Sequence, residues 1–400
     1  MQKTEKVLIV GGGFAGVKAA LELKNSPHFD VTLLSDTDEL RYYPTLYHTA
    51  TGSSSSNSSI SLKSIFAGSD IKIAKGEAVS LDRKARIITT TDNRTFSYDA
   101  LIIALGVVTN YFGIPGLADY SYSIKTQEEV ARLKKHLHKQ LEDDRQPDLN
   151  YVIVGAGPTG IELAGALPHY MKHILKNHGI PEKKIHVDII EAMPRLLPNL
   201  PKSVSKQVGK QLRKLGIKLY LNSKVEGESA DELTVNGKPI RSHTVIWTAG
   251  VTNHPFFKDN NFALMARGKV AVDVFLQTEP NVFVLGDNAN TPYSGLAQTA
   301  LHDAVFVANN LKRRAEGKDF KGYKLKKPIT VIPAGPGWAA VVWRKLHFSG
   351  SFGFFFREAA DFKGFMDLEN PQKATEQFAS EFITEDDCEV CMLAMSRYSA

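Results

Sequence analysis

Two glycine-rich turns carry most of the chemistry that the chain advertises. Gly11-x-Gly13-x-x-Gly16 follows the apolar run VLIV at residues 7–10, and Gly155-x-Gly157-x-x-Gly160 follows YVIV at 151–154. Each is succeeded by small and apolar residues at helical spacing, so each sits between a strand and a helix. In that setting the first glycine permits a tight turn, the second lets a pyrophosphate approach the backbone, and the third lets helix and strand pack closely. The helix N-terminus then offers free N–H groups and partial positive charge to the phosphates.

Such a unit needs an acidic residue after its second strand to accept hydrogen bonds from the ribose hydroxyls. In the second unit that strand, 186–190, ends at Glu191, whose carboxylate repels a 2′-phosphate and favours NADH over NADPH; nearby Arg195 works against that preference. In the first unit the strand VTLLS at 31–35 leads to Asp36, which is either the ribose ligand or a surface-turn aspartate. Glu162 stands on the first turn of the second helix, where it is either a favourable helix-start charge or a group beside the nicotinamide. A third signal is NVFVLGD at 281–287, a buried strand that delivers Gly286 and Asp287 to its carboxyl end, in reach of a ribityl or phosphate group.

The elements that must position these residues follow from periodicity. Residues 7–34 read as strand, helix, strand; 52–59, GSSSSNSS, as a solvated loop; 71–96 as short strands broken at Asp92-Asn93; and 100–105 as a buried strand ending at Gly106. A helix at 127–142 and a hinge near Pro147 precede the second unit, whose Gly155 lies 144 positions beyond Gly11. That offset is the size of a domain. The expected fold is α/β with two Rossmann-like dinucleotide-binding domains, the first discontinuous (1–120 and 250–325) and the second inserted (121–249), plus a small C-terminal region (326–400).

Composition narrows the class. Four hundred residues with 43% hydrophobic and 23% charged side chains can bury more than one core. No signal-peptide core and no run of about 18 apolar residues is present, so the expected location is cytoplasmic. A formal charge of +6 suits anionic partners, but no arginine-rich run interleaved with aromatics and no zinc-ligand spacing appears, which argues against nucleic acid. The two cysteines, Cys388 and Cys391, fall within the last 13 residues, so neither a disulfide framework nor a four-thiolate metal site is expected. The acids around them, Glu385, Asp386, Asp387 and Glu389, oppose thiolate formation and disfavour a redox role. Residues 324–365 mix lysine and arginine with tryptophan and phenylalanine, which suits either an anionic lipid surface or a small core and dimer interface. Within residues 372–400, the spacing of Phe378, Phe382 and Ile383 suits one face of a helix.

In their order, the motifs resemble the two-dinucleotide-binding-domain flavoproteins and, within them, type II NADH dehydrogenase, the non-pumping NADH:quinone oxidoreductase. The segments that carry this resemblance are VLIVGGGFAG (7–16), YDALIIALG (98–106), VIVGAGPTGIELAGAL (152–167), VIWTAGV (245–251), FVLGDNA (283–289) and AQTA (297–300). The resemblance implies FAD held by Gly11, Gly13, Phe14, Ala15, Gly16, Asp36, Gly106, Gly286 and Asp287, and NADH by Gly157, Pro158, Thr159, Gly160, Glu191 and Gly250. It implies catalytic roles for Glu162, near nicotinamide and flavin, and for Gln298, which with Ala297 lines the quinone entrance. It also implies a homodimer bound peripherally to the inner face of the cell membrane. Three departures stand out: Ser35 occupies the place of the usual acidic residue, so that Asp36 substitutes by a one-residue shift; Leu301-His302-Asp303 replaces a further glutamine; and the C-terminal region is short. The rival expectations are a reductase of a small electron-carrier protein and a flavin redox sensor.

Overall fold

The computed structural model describes residues 4–382, so Ile383, Cys388 and Cys391 lie outside the described residues. The first unit opens with β1 (Glu5–Val10), α1 (Phe14–Leu23) and β2 (Phe29–Ser35), and continues through β3 (Lys72–Lys75) and β4 (Ala100–Ile103). The apolar runs of β1, β2 and β4 make largely buried parallel strands, whereas the edge strand β3 is exposed at both ends. Val10 pairs with Leu34 on one side and Ile103 on the other. Burying Ile9, Leu33 and Ile102, each fully removed from solvent, contributes roughly 1.5–3 kcal/mol per side chain.

β5 (Val107–Thr109) leaves this sheet, and α2 (Gln127–Asp144), closed by a Thr126–Glu129 capping box, leads into the insertion. There the plan repeats: β6 (Tyr151–Val154), α3 (Pro158–Asn177), β7 (Val187–Ile190), α4 (Lys202–Lys214), β8 (Lys218–Tyr220) and β9 (Thr244–Trp247), with parallel order β8-β7-β6-β9. The return strand β10 (Val251–Asn253) pairs antiparallel with β5, so outgoing and incoming chain cross side by side. β11 (Gln277–Glu279) and β12 (Val282–Val284) complete the six-stranded sheet β11-β12-β4-β1-β2-β3, and α5 (Ala297–Ala315) packs on α1.

The C-terminal region is an antiparallel sheet of β13 (Thr330–Pro333), β14 (Ala339–Trp343) and β15 (Leu346–Gly350), followed by α6 (Ser351–Met366) and α7 (Pro371–Ala379). Gly353, Arg357, Asp361 and Phe365 form the buried stripe of α6 at four-residue spacing, and Phe365 stacks on Tyr42 of the first unit at 4.3 Å. The serine-rich segment 52–59 departs from the expected solvated loop. Ser55–Ser58 forms a 3-10 turn in which Asn57 and Ser58 are buried. The turn is covered by α7 and tied to α2, where the Gln127 amide donates to Ser58 Oγ at 2.7 Å. Ser58 Oγ also bonds Thr49 Oγ1 at 2.7 Å, while Ser55 and Ser56 stay exposed.

α3 meets the C-terminal sheet where Gly165 faces Gly335, and a Cβ on Gly165 would lie 2.3 Å from the Gly335 nitrogen. A Gly165→Val variant must push backbone away from backbone. Overpacking of this kind costs about 1–3 kcal/mol, or roughly 2–4 °C in melting temperature per kcal/mol for units of this size. Thermal unfolding is expected to show that loss; an unchanged melting temperature contradicts the packing described.

Candidate functional site

The two glycine turns are built alike. Gly11 donates to the Leu34 carbonyl and Gly155 to the Ile190 carbonyl, both at 2.8 Å, and both glycines have left-handed φ, +116° and +108°. A Cβ on Gly16 would lie 1.9 Å from the Gly11 oxygen, and one on Gly160 would lie 2.0 Å from the Gly155 oxygen. At Gly13 and Gly157, by contrast, a Cβ would meet nothing within 4 Å. These are the N-caps of α1 and α3, and neither has a side-chain cap. The first-turn N–H groups of Phe14, Ala15 and Gly16, and of Thr159 and Gly160, therefore face open space; Pro158 has no N–H to leave unsatisfied. Each cradle fits a pyrophosphate.

Strand register also aligns the positions at the ends of the two second strands. Val10 pairs with Leu34 as Val154 pairs with Ile190, so Ser35 occupies in the first unit the place of Glu191 in the second. The Glu191 carboxylate is fixed by the N–H groups of Ala156 and Met193, both at 2.8 Å. Ser35 accepts from Thr37 N at 3.3 Å, and Gly12 lies so close that a Cβ there would sit 2.3 Å from Ser35 Oγ. Asp36 falls one residue further out, its side chain 56% exposed and paired with Arg41 at 3.5 Å. Arg195 is taken up locally: it donates to the carbonyls of Leu197, Pro198 and Leu200 and to Ser205 Oγ.

Gly106, Gly286 and Asp287 follow strands at the carboxyl edge of the first sheet. Gly106 N donates to Asn288 Oδ1 at 2.9 Å, and the Asn288 amide returns a bond to the Gly106 carbonyl at 2.5 Å. Gly286, at φ +63°, lies against Ala15 and Ala300, and its N–H donates to Asp303 at 3.1 Å. Burial raises Asp303 to about 6, and Tyr323 donates to it at 2.6 Å. Asp287 accepts from Gly295 N at 2.9 Å. Ala297 opens α5, but the Gln298 amide is engaged on both sides by the Ile329 backbone, at 2.8 and 3.1 Å, which ties α5 to the C-terminal sheet. Gly250 lies against Asn110 and Phe112 at the crossing strands, where a Cβ would stand 2.5 Å from the Phe112 ring. Asn288 was visible inside the FVLGDNA segment, and Asp303 beside AQTA; their roles as clamps depend on long-range pairing that spacing does not encode.

Glu162 is brought to a group that no motif announced. Arg357, buried on α6, reaches Glu162 at 3.4 Å, Asp361 at 2.5 Å and the Pro44 carbonyl at 2.5 Å, and lies 5.8 Å from the Tyr47 ring centroid. Burial raises Glu162 to about 7, with Arg357 opposing the shift. Burial and the same guanidinium lower His48 to about 3, which keeps its imidazole neutral. Among the described residues no cluster of three or more His, Cys, Asp or Glu is placed to hold a metal ion.

Two cradles of one design, each between parallel strands of its own sheet, define a two-dinucleotide oxidoreductase. The family described as pyridine nucleotide-disulphide oxidoreductase matches residues 5–304, and the chain belongs to it. It is 29% identical over 342 residues to the type II NADH:quinone oxidoreductase NdhA of Mycobacterium tuberculosis, covering 78% of this chain and 73% of that one. It is 28% identical over 396 residues to Ndh of the same organism, covering 88% and 85%. Among solved structures, NDH2 of Plasmodium falciparum in complex with NADH superposes with a TM-score of 0.83 at 18% identity, over 95% of this chain and 98% of that one. The sulfide:quinone oxidoreductase of Aquifex aeolicus superposes at 0.77 with 20% identity, over 94% and 92%.

The shifted Glu162 has a signature in stability. Its folded pKa lies above the ordinary 4.5, so the native chain holds a proton that the unfolded chain releases. That contribution is complete below about pH 4.5 and is lost as pH rises through about 7. Glu162→Gln stays uncharged throughout, so its melting temperature relative to wild type is expected to rise between about pH 5 and pH 8. A difference that stays flat contradicts the shift.

Proposed function

We propose that this chain is an NADH:quinone oxidoreductase of the type II class, with FAD at the first cradle and NADH at the second. The observation that carries the reading is the likeness to type II NADH:quinone oxidoreductases along 78% and 88% of the chain. The local chemistry agrees with it. Bound FAD supplies the two-electron chemistry, so that NADH, a quinone and one proton give NAD and the quinol.

The chain's own residues bind and orient. The α1 N-terminus and its glycines receive the FAD phosphates, Asp36 and Asp287 stand at the two ends of that cofactor's span, Gly106 borders open space, and Gly286 lets the strand end pack against Ala15 and Ala300. The α3 N-terminus receives the NADH phosphates, Glu191 accepts from the ribose hydroxyls, and the Arg195 guanidinium is engaged by local carbonyls and Ser205. Glu162, at about 7, holds or releases a proton near neutrality beside Arg357. Gln298 acts for the quinone by fixing α5 against the C-terminal sheet. The FAD domain is assigned to 1–120 and 250–325, the NADH domain to 121–249 and the interface region to 326–400.

The quinone is a membrane lipid, and among the described residues no helix is long and apolar enough to cross a bilayer. Peripheral attachment is assigned to the outer face of α6 and the adjoining strand end. Phe352 and Phe355 are 65% and 66% exposed, beside exposed Trp343 and Leu346, and Arg344, Lys345 and Lys363 flank them. Apolar rings bordered by cations suit the inner, anionic face of the cell membrane.

Two measurements test this reading. Anaerobic titration with NADH is expected to bleach the flavin absorbance, and a soluble quinone to restore it rapidly. Bleaching that only a small acidic carrier protein reverses moves the assignment to a carrier reductase; slow reoxidation by every acceptor moves it to a sensor. Cosedimentation with phosphatidylglycerol vesicles is expected for wild type and lost in Phe352→Ser/Phe355→Ser. If binding is unchanged while the variant alters oligomeric size, the strip is a dimer contact instead.

A further inference from the structure

Lys125 is a cation without an anion. It precedes the N-cap of α2, on the segment that carries the chain into the second unit. Its ammonium stands 5.6 Å from the centroid of the Tyr43 ring and, among the described residues, makes no hydrogen bond or ion pair. Glu129 does not take it, because that carboxylate accepts from the backbone N–H groups of Lys125 at 2.6 Å and Thr126 at 3.1 Å. Asp287 lies close enough to act on Lys125 electrostatically but is bonded to Gly295 N. Burial pushes the Lys125 pKa down, against the pull of Asp287 and Glu129. A partly desolvated ammonium held by one ring is costly unless an anion joins it.

Its position names the anion. Tyr43 is acted on at once by Arg41, Asp36 and Asp287. Asp36 follows β2 at the ribose end of the first cradle, and Asp287 follows β12 at the ribityl end. The group between ribose and ribityl in a flavin dinucleotide is the pyrophosphate, with two negative charges. None of residues 11–16 is basic, and the nearest cation on α1, Lys18, is paired with Glu22 at 2.9 Å. Arg41 is paired with Asp36.

We propose that Lys125 closes over the pyrophosphate of the dinucleotide held at Gly11, Gly13 and Gly16, so that the segment opening the second unit supplies the counter-cation for the cofactor of the first. The inference rests on the reading of that cofactor as FAD. Tyr43 holds the ammonium in place before the cofactor arrives, and the bound cofactor then fastens the two units together.

The test is FAD retention by the purified holoenzyme, read as flavin fluorescence released into buffer across a salt series. Loss of one charge-assisted bond predicts that Lys125→Met binds FAD roughly tenfold to a hundredfold more weakly and with a shallower salt dependence, while Lys125→Arg stays near wild type. The melting temperature of the flavin-free protein and the flavin reduction potential are expected to be unchanged in Lys125→Met. Equal retention by wild type and Lys125→Met overturns the inference. So does a lower melting temperature without flavin, which makes Lys125 structural, or a more negative potential, which puts the cation at the flavin ring. Wild type that holds no FAD defeats the cofactor reading itself; wild type that keeps FAD beside an unaffected Lys125→Met defeats this inference alone.

Discussion

Everything in this fold is arranged around the closeness of a helix start to the strand before it. At Gly16 and Gly160 the helix lies so near the preceding turn that no side chain fits, and at Gly13 and Gly157 the space in front of the helix is left clear. Closeness aims the free N–H groups and the helix dipole at one point; clearance lets phosphate reach it. The fully buried parallel strands, the left-handed Gly11 and Gly155 and the packing of α1 on α5 all follow from holding that geometry. The chain uses the device twice, on two sheets joined by the crossing of β5 and β10.

What differs between the two copies is as informative as what they share. Glu191 and Ser35 occupy one register position, yet one is a carboxylate fixed by two N–H groups and the other a small hydroxyl packed against Gly12. Ala156 in the second copy corresponds to Gly12 in the first, so the side chain removed from the turn and the shorter side chain at the strand end occur together. The units are further bound through the C-terminal region. Arg357 on α6 bonds Glu162 of the second unit and Pro44 of the first, and its charge is balanced by Asp361 one helical turn away. Removing one partner from such a buried group costs more than the pair contributes.

The architecture was legible because its signals are local. Apolar runs, glycines at fixed offsets and Glu191 at a strand end act over a few residues, and the structure places each near where the pattern put it. Less legible were contacts that span the chain. Glu162 shows itself as a helix-start acid, but its partner lies 195 positions away on a helix read as aromatic and basic. The resemblance implies that Gln298 lines the quinone entrance, but no spacing announces that its amide bonds the Ile329 backbone 31 positions on. The serine-rich stretch 52–59 looked solvated because serine and asparagine usually are; α2 and α7 cover it. One-residue questions stayed open in the sequence for the same reason: only the pairing of Ser35 with Lys75 of β3 shows that Ser35, not Asp36, ends the strand.

The central claim is that electrons pass directly from a nicotinamide at the second cradle to a flavin at the first. Rapid mixing of the holoenzyme with NADH deuterated at one or the other C4 position, without oxygen, tests it by following flavin absorbance. The account predicts bleaching that is slowed by deuterium at one C4 position and not at the other. Bleaching insensitive to both labels while the transfer step limits the rate, or no bleaching at all, contradicts it.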